Sequence, residues 1–175
     1  LVFCEGTIYF ANLRTYPGTV TLTANWTAKT YTVTLDKQGG NGGSDSVTAT
    51  YGAAMPTATM PTRSNYIFGG YFTEVNGGGT KYYNANGTSA KNWDKTSATT
   101  LYAKWTGKTY TITLSDQIGT GGQTGSFTVT VGTKAPNISP LPKADGYVFC
   151  GYGVNAGVGW YAYYNADGTP AEQMN

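Results

Sequence analysis

The sequence has no histidine and few charges. Of its 175 residues only 11% are charged, whereas soluble domains usually contain roughly 25%. Without histidine, the commonest general base and metal ligand is absent. The formal charge of +2 is too small for the dense basic face of an electrostatic nucleic-acid binder. No apolar run approaches the roughly 20 residues that span a bilayer. We therefore expect no nucleic-acid partner, no membrane span and no cofactor.

Cysteine is also scarce, since the chain contains only Cys4 and Cys150. Two cysteines are too few for a disulfide framework or a cysteine-based metal site. The abundant residues are 30 Thr, 25 Gly and 15 Tyr, which favour twisted strands and tight turns. No stretch has the pattern of a long amphipathic helix. The composition predicts a mainly β protein, and its low charge with many Thr, Tyr and Asn is typical of exported bacterial surface proteins.

An internal repeat organises the chain. Lys29–Leu35 recurs as Lys108–Leu114. Near the start, Thr21–Thr27 matches Thr100–Thr106 and represents the tail of a third, incomplete unit. Two further pairs recur: Tyr66–Tyr71 with Tyr147–Tyr152, and Tyr82–Thr88 with Tyr163–Thr169. These matches divide the chain into a partial unit (1–28), a complete repeat module (29–106) and a second repeat module (107–175) that lacks its last strand.

Within the complete unit, alternation predicts short strands. Residues 29–35 place Tyr31, Val33 and Leu35 on one face, the period of a half-buried strand. Residues 47–51, 66–72, 81–83 and 99–105 are predicted as further strands, with Gly70 at a bulge or a close backbone approach. Residues 55–62 contain two prolines and are predicted to form a crossing loop with room for one helical turn.

These motifs together resemble the Listeria–Bacteroides repeat, also called the internalin-type B repeat. The matching stretches are Tyr31–Gly40, Met60–Phe72 and Thr100–Trp105, and in the second unit Tyr110–Leu114 and Leu141–Tyr152. The family often has Trp after the Gly of the aromatic strand, where this chain has Tyr71 and Tyr152. The resemblance implies tandem, small β-grasp-like (ubiquitin-like) modules on secreted or cell-surface bacterial proteins. It implies a structural or adhesive role without catalytic residues.

Carboxylates and modification motifs give no strong alternative. The nine acidic residues are scattered, and none has a local partner that recurs in the other unit, so we expect no enzyme. Asn165–Gly168 could be an oxygen-rich calcium loop, but its counterpart Asn84–Gly87 lacks the carboxylate, which favours a tight turn in both units. Asn25 and Asn86 begin N-glycosylation triplets and are candidate glycosylation sites.

Aromatic residues have two interpretations. Trp26, Trp105, Tyr66, Phe68, Tyr147 and Phe149 occupy repeating strand positions, which favours packing in small cores. Trp93 and Trp160 have no counterparts in the other unit. They are therefore the candidates for a specific ligand contact.

The first 28 residues contain a copy of the strand predicted at 99–105, the last strand of the complete module. The second module lacks this strand. An unpaired edge exposes backbone donors and acceptors that another strand can pair. The candidate donor strand consists of Thr19, Val20, Thr21, Leu22, Thr23, Ala24, Asn25 and Trp26. Donation to the next copy would build a head-to-tail filament, whereas a fragment cut from a longer array would show the same pattern. A filament joint could be locked by a disulfide between Cys4 and the neighbour's Cys150; the alternative is two buried free thiols.

Two functional hypotheses follow. The first is a non-enzymatic extracellular structural protein, a subunit of a surface stalk or fibre whose partners are other copies of itself. The second is a surface adhesin module that binds glycan or protein ligands through Trp93, Trp160 or neighbouring loops.

Overall fold

The computed structural model describes residues 23–155 and 157–172. Over these residues the protein is mainly β with almost no helix, as the composition predicted. A short 3-10 turn lies at Val75–Gly77. The strands in the described residues are β1 (Thr30–Asp36), β2 (Ser46–Thr50), β3 (Tyr66–Phe72), β4 (Lys81–Tyr83), β5 (Thr99–Gly107), β6 (Thr109–Thr113), β7 (Ser126–Thr130), β8 (Tyr152–Asn155) and β9 (Trp160–Tyr164).

The first five strands form one sheet in the order β2-β1-β5-β3-β4. Strand β5 is the last of the five along the chain but lies at the centre of the sheet. It runs parallel to β1, with Leu35 opposite Leu101, and antiparallel to β3, with Tyr71 opposite Ala103. Because β5 satisfies the backbone groups of both neighbours, the two halves of this sheet are joined through it.

The alternation predicted for β1 is confirmed. Val33 and Leu35 are buried, Tyr31 is half-buried, and Thr32 and Thr34 are exposed on the other face. The same rule orients β5, whose Leu101 and Ala103 are buried. A period of two therefore places one face of each strand in a common core.

Gly70 combines both features predicted for it. The pairing of β3 with β5 shifts register between Phe68 and Gly70, which marks a bulge, and Gly70 has φ +116. A Cβ at this position would also collide with the main-chain oxygen of Tyr83. Only glycine allows β3 and β4 to approach each other in this conformation.

The core of this first sheet is rich in aromatic side chains. Tyr71 packs edge to face against Tyr83, with ring centroids 6.2 Å apart, and Tyr82 packs against Trp93 at 5.1 Å. The buried members of the cluster are Val33, Leu35, Ala49, Met55, Tyr71, Tyr82, Tyr83, Trp93, Leu101 and Ala103. Two of them come from β5, so this strand supplies core side chains as well as hydrogen bonds.

The last four strands form two separate antiparallel pairs, β6-β7 and β8-β9. Their core is smaller: Ile138, Tyr152 and Tyr164 are buried, and Leu114, Phe127, Leu141 and Phe149 pack against them while only partly buried. The second half therefore has the same kinds of residues as the first but covers them less completely.

Of two predictions for the segments between strands, the helical turn is wrong and the tight turns are confirmed. Residues 55–61 contain no helical turn; they run as an irregular segment that buries Met55 and presents the Pro56 oxygen to the Tyr83 hydroxyl at 2.6 Å. The two predicted tight turns form, with Gly87 N–H bonded to Asn84 O and Gly168 N–H bonded to Asn165 O, each at 3.0 Å. The calcium interpretation is unnecessary, because Asp167 accepts hydrogen bonds from Thr169 within its own turn.

Candidate strand-accepting groove

The strands of the two halves correspond pair by pair. Val33 lies opposite Val47 in β1-β2, and Ile112 lies opposite Phe127 in β6-β7. Tyr71 lies opposite Tyr83 in β3-β4, and Tyr152 lies opposite Tyr164 in β8-β9. Within the described residues, the second half has counterparts of β1 to β4 but none of β5. The counterparts of the two strands that flank β5 are β6 and β8.

A groove lies between β6 and β8, where the first half holds β5. Its volume is about 450 Å³. One wall is residues 110–115, and the other is residues 152–154 together with Tyr163 and Tyr164 of β9. Ile112 and Leu114 are only half-buried here, whereas Val33 and Leu35 at the matching positions are 0% and 3% exposed. The exposure differs because β5 covers Val33 and Leu35, whereas nothing in the described residues covers Ile112 and Leu114.

Both strands that border the groove are also shorter than their counterparts. Strand β6 stops at Thr113, whereas β1 continues through Leu35 and Asp36, which pair with β5. Residues 147–150 are not in a strand, although the matching Tyr66–Gly69 lies in β3 alongside β5. Each side thus loses strand structure at positions where the first sheet uses β5 as partner.

Asp116 directly follows the groove wall formed by residues 110–115. Its Oδ1 accepts a hydrogen bond from the Tyr152 hydroxyl at 2.7 Å, and its Oδ2 accepts one from Gly122 N–H at 3.1 Å. Burial, together with this hydrogen bond and the charge of Asp116, raises the pKa of Tyr152 to about 12. The tyrosine is therefore a neutral donor at physiological pH, and the bond holds the loop after β6 against β8.

A second cavity, of about 180 Å³, lies beside the groove. Asp116, Gly119, Pro142 and Phe149 line it, together with the exposed Cys150. In the first half the equivalent positions are Lys37, Gly40, Pro61, Phe68 and Gly69. Three of them, Lys37, Gly40 and Phe68, lie against the side chain of Trp105.

The candidate donor strand falls only partly within the described residues. Thr19–Leu22 lie outside them. Thr23 to Trp26 are described, are exposed and are not in a strand, and Trp26 is 88% exposed. The core position predicted for Trp26 is therefore wrong in this isolated chain, as it is for Tyr147, which is 71% exposed. Trp26 matches Trp105, which belongs to β5 and packs against Phe68, and Tyr147 matches Tyr66, which is half-buried and paired with β5.

Other predicted site residues are placed as follows. Cys150 is exposed, its thiol donating weakly to Val148 O at 3.5 Å, so a buried thiol is wrong at this position; Cys4 lies outside the described residues, and the disulfide stays a prediction. Asn25 is exposed. Asn86 lies in the tight turn, where its side-chain oxygen accepts hydrogen bonds from Thr88. Glycosylation at either site also stays a prediction.

Trp93 is a core residue, although the sequence pattern predicted a ligand contact for it. It is fully buried, so it cannot contact a ligand at the surface. No repeat or periodicity marks it, because it lies in an irregular segment whose main chain bonds to Gly52 and Ala53. Trp160 is 58% exposed on β9 and remains available for a contact.

Asp45 and Asp94 have structural partners. Asp45 bonds Lys37 at 2.6 Å, and Asp94 bonds Lys91 at 2.6 Å as well as the Tyr82 hydroxyl. These bonds hold the pKa values of both carboxyls below their usual range. Within the described ranges, no group of three or more potential metal-ligating side chains comes together, and no helix is long and apolar enough to cross a membrane.

Comparison with known proteins finds a similarity for the first half. The family model of the Listeria–Bacteroides repeat domain matches residues 31–104, which run from β1 to near the end of β5. No curated protein and no solved structure gives a significant match to this chain. Over residues 31–104 the chain is similar to the Listeria–Bacteroides repeat domain, and the resemblance drawn from the sequence motifs is confirmed there.

Proposed function

We propose that the chain is a non-enzymatic structural subunit of a bacterial surface stalk or fibre, assembled by strand donation between copies. Listeria–Bacteroides repeat domains occur in bacterial surface proteins, which supports an extracellular location. The two halves are, in this proposal, tandem β-grasp-like modules. The observation that carries it is the groove between β6 and β8, at the position that β5 fills in the first sheet.

Residues 19–26 of a second copy are the proposed occupant. Their sequence aligns with β5, so that Leu22 corresponds to Leu101, Ala24 to Ala103 and Trp26 to Trp105. In the register of β5, Leu22 would lie opposite Leu114 and Ala24 opposite Tyr152. Strand addition of this kind gains backbone hydrogen bonds along both edges and covers the half-buried side chains of the groove.

The connection that follows the donor supports a second copy as its source. Lys108 alone separates β5 from β6, and its oxygen accepts a bond from Val131 N–H at 3.0 Å. Lys29 precedes β1 and accepts the equivalent bond from Tyr51 N–H, also at 3.0 Å. A donor from another copy would thus continue into its own β1 through a connection already used within one chain. Pairing between the donor strand and the groove should end at Thr27. The donor has Ala28 at the position of Gly107 in β5, and a Cβ at Gly107 would collide with Val131 O.

Sedimentation velocity over a range of concentrations tests the assembly. The wild-type chain should form a ladder of oligomers, and Ala24→Asp should stay monomeric because it places a charge in the groove. Asn25→Asp is the matched control, since it adds the same charge at the neighbouring position, which faces away from the core in the β5 alignment. A wild-type chain that remains monomeric at its solubility limit contradicts strand donation.

An adhesin is the second candidate, and the exposed Trp160 favours it. Trp160 of β9 is 58% exposed, and an exposed aromatic ring offers a flat apolar face on which a sugar ring can stack. A glycan array probed with wild type and Trp160→Ala distinguishes the roles. Binding that disappears in the variant favours an adhesin, and an array without hits favours the structural subunit.

A further inference from the structure

The indole of Trp105 has a defined seat in the first half. Its Nε1–H donates to Lys37 O at 2.8 Å, and its ring lies against Phe68 with centroids 5.2 Å apart. The edge of the ring covers Gly40, where an added Cβ would lie only 2.5 Å from Trp105 Cζ2. The seat thus consists of a carbonyl acceptor, an aromatic ring and a glycine that leaves room for the indole.

The second half contains the same seat without an indole. An added Cβ at Gly119 would lie 3.1 Å from Pro142 Cβ and 3.2 Å from Asp116 O, compared with 3.2 Å from Pro61 Cβ and 3.1 Å from Lys37 O at Gly40. The distances from the added Cβ to the proline and to the main-chain oxygen therefore agree between the two sites to about a tenth of an ångström. The sites differ in the tryptophan ring, which lies against Gly40 but has no counterpart among the described residues at Gly119. The cavity beside Gly119 lies where that ring would be.

We propose that this cavity is an anchor site for a tryptophan side chain and that its occupant is Trp26 of a second copy. Of the four tryptophans, Trp93 is buried, Trp105 fills the first seat and Trp160 lies on β9. Trp26 is 88% exposed and aligns with Trp105. Its indole N–H donates to Asp116 O, and its ring packs on Phe149 and over Gly119.

The inference rests on the proposed strand donation, because the strand delivers the side chain, but it makes a separate demand. Donation alone needs only backbone pairing and small side chains in the groove. An anchor site makes Trp26 the dominant contact, because buried aromatic residues in pockets carry much of the energy of an interface. Replacing Trp26 or filling its cavity should therefore weaken assembly although the rest of the donor is intact.

Three variants of the full chain test the site. Trp26→Ala removes the indole, and Gly119→Ala fills the cavity while leaving an ordinary backbone conformation. Thr124→Ala is the matched control, an exposed position in the same connection between β6 and β7. We expect each of the first two to raise the dissociation constant of assembly about 30-fold or more, and the control to leave it unchanged.

Acrylamide quenching supplies a readout that general destabilisation would not give. In a Trp160→Phe background, Trp26 is the most exposed tryptophan, so its protection should grow with protein concentration. Gly119→Ala should abolish that protection while thermal unfolding stays cooperative. Normal assembly of Trp26→Ala and Gly119→Ala beside a monomeric Ala24→Asp overturns the anchor and leaves strand donation intact. A wild-type chain that stays monomeric overturns both, and protection of Trp26 that is independent of concentration overturns a second copy as the source.

Discussion

Trp105 donates its indole N–H to the main-chain oxygen of Lys37 at 2.8 Å, and this bond ties the central strand β5 to the loop that follows β1. The two residues are far apart in sequence, and the strand that Lys37 follows, β1, runs parallel to β5. Because parallel strands cannot be joined by a tight turn, side-chain bonds of this kind help to fix their relative position. The first sheet is therefore closed by packing as well as by its backbone ladder.

Gly40→Ala should destabilise the first sheet by about 1–3 kcal/mol, because the added methyl group would overlap the Trp105 ring. Gly119→Ala, at the matching position of the second half, should destabilise the isolated chain less, since its Cβ would meet Pro142 Cβ at 3.1 Å but no tryptophan ring. Urea unfolding of both variants, followed by tryptophan fluorescence at a concentration where the chain is monomeric, measures the difference. Equal losses would contradict the assignment of the cavity as an open counterpart.

The strands of the first sheet were largely predictable. A period of two and the internal repeat located β1, β3, β4 and β5, and the bulge at Gly70 followed from a glycine inside an aromatic strand. The order of the strands was not predictable in this way. Alternation shows which face of a strand is buried but says nothing of its neighbours, so the central position of β5 appears only in the coordinates.

Burial of single aromatic residues was less predictable. Trp93 has no repeat counterpart, yet it is buried because an irregular segment folds over Tyr82. Trp26 matches Trp105, which packs against Phe68, yet Trp26 is exposed, because the repeated sequence does not by itself supply the neighbouring strands that cover Trp105. Tyr147 is exposed as well, and its counterpart Tyr66 is only half-buried. The anchor cavity was also missed, although Gly40 with Gly119 and Pro61 with Pro142 recur in the sequence as a visible signal.

Trp93→Ala should cost about 3–5 kcal/mol of unfolding free energy, the usual range for removing a buried tryptophan from a packed core. Trp160→Ala should change it by less than about 0.5 kcal/mol, the range typical of surface positions. Chemical denaturation followed by far-ultraviolet circular dichroism compares the two. If Trp160→Ala proves as damaging as Trp93→Ala, the small second core depends on β9 far more than its exposure indicates.

Tyr71→Phe and Tyr83→Phe form a matched pair in the first core. The Tyr83 hydroxyl donates to Pro56 O at 2.6 Å, so its removal should cost about 1 kcal/mol. The Tyr71 hydroxyl is buried with no hydrogen-bond partner among the described residues, so Tyr71→Phe should be neutral or stabilising. Thermal and urea unfolding of each variant measure the sign. A clear loss of stability in Tyr71→Phe would show that its hydroxyl is bonded after all.

Alkaline pH should unfold the protein through its buried tyrosines. Burial raises the pKa of Tyr71 and of Tyr83 to about 12, from an unfolded value of 10.0. Because the folded state binds these protons more tightly, the stability they provide is present below pH 10 and is lost as the pH rises from 10 towards 12. Melting temperatures over this interval should fall, and fall less in Tyr71→Phe/Tyr83→Phe. Complete ionisation of all tyrosines near pH 10, observed by ultraviolet absorbance while the circular dichroism remains native, would contradict burial as the cause.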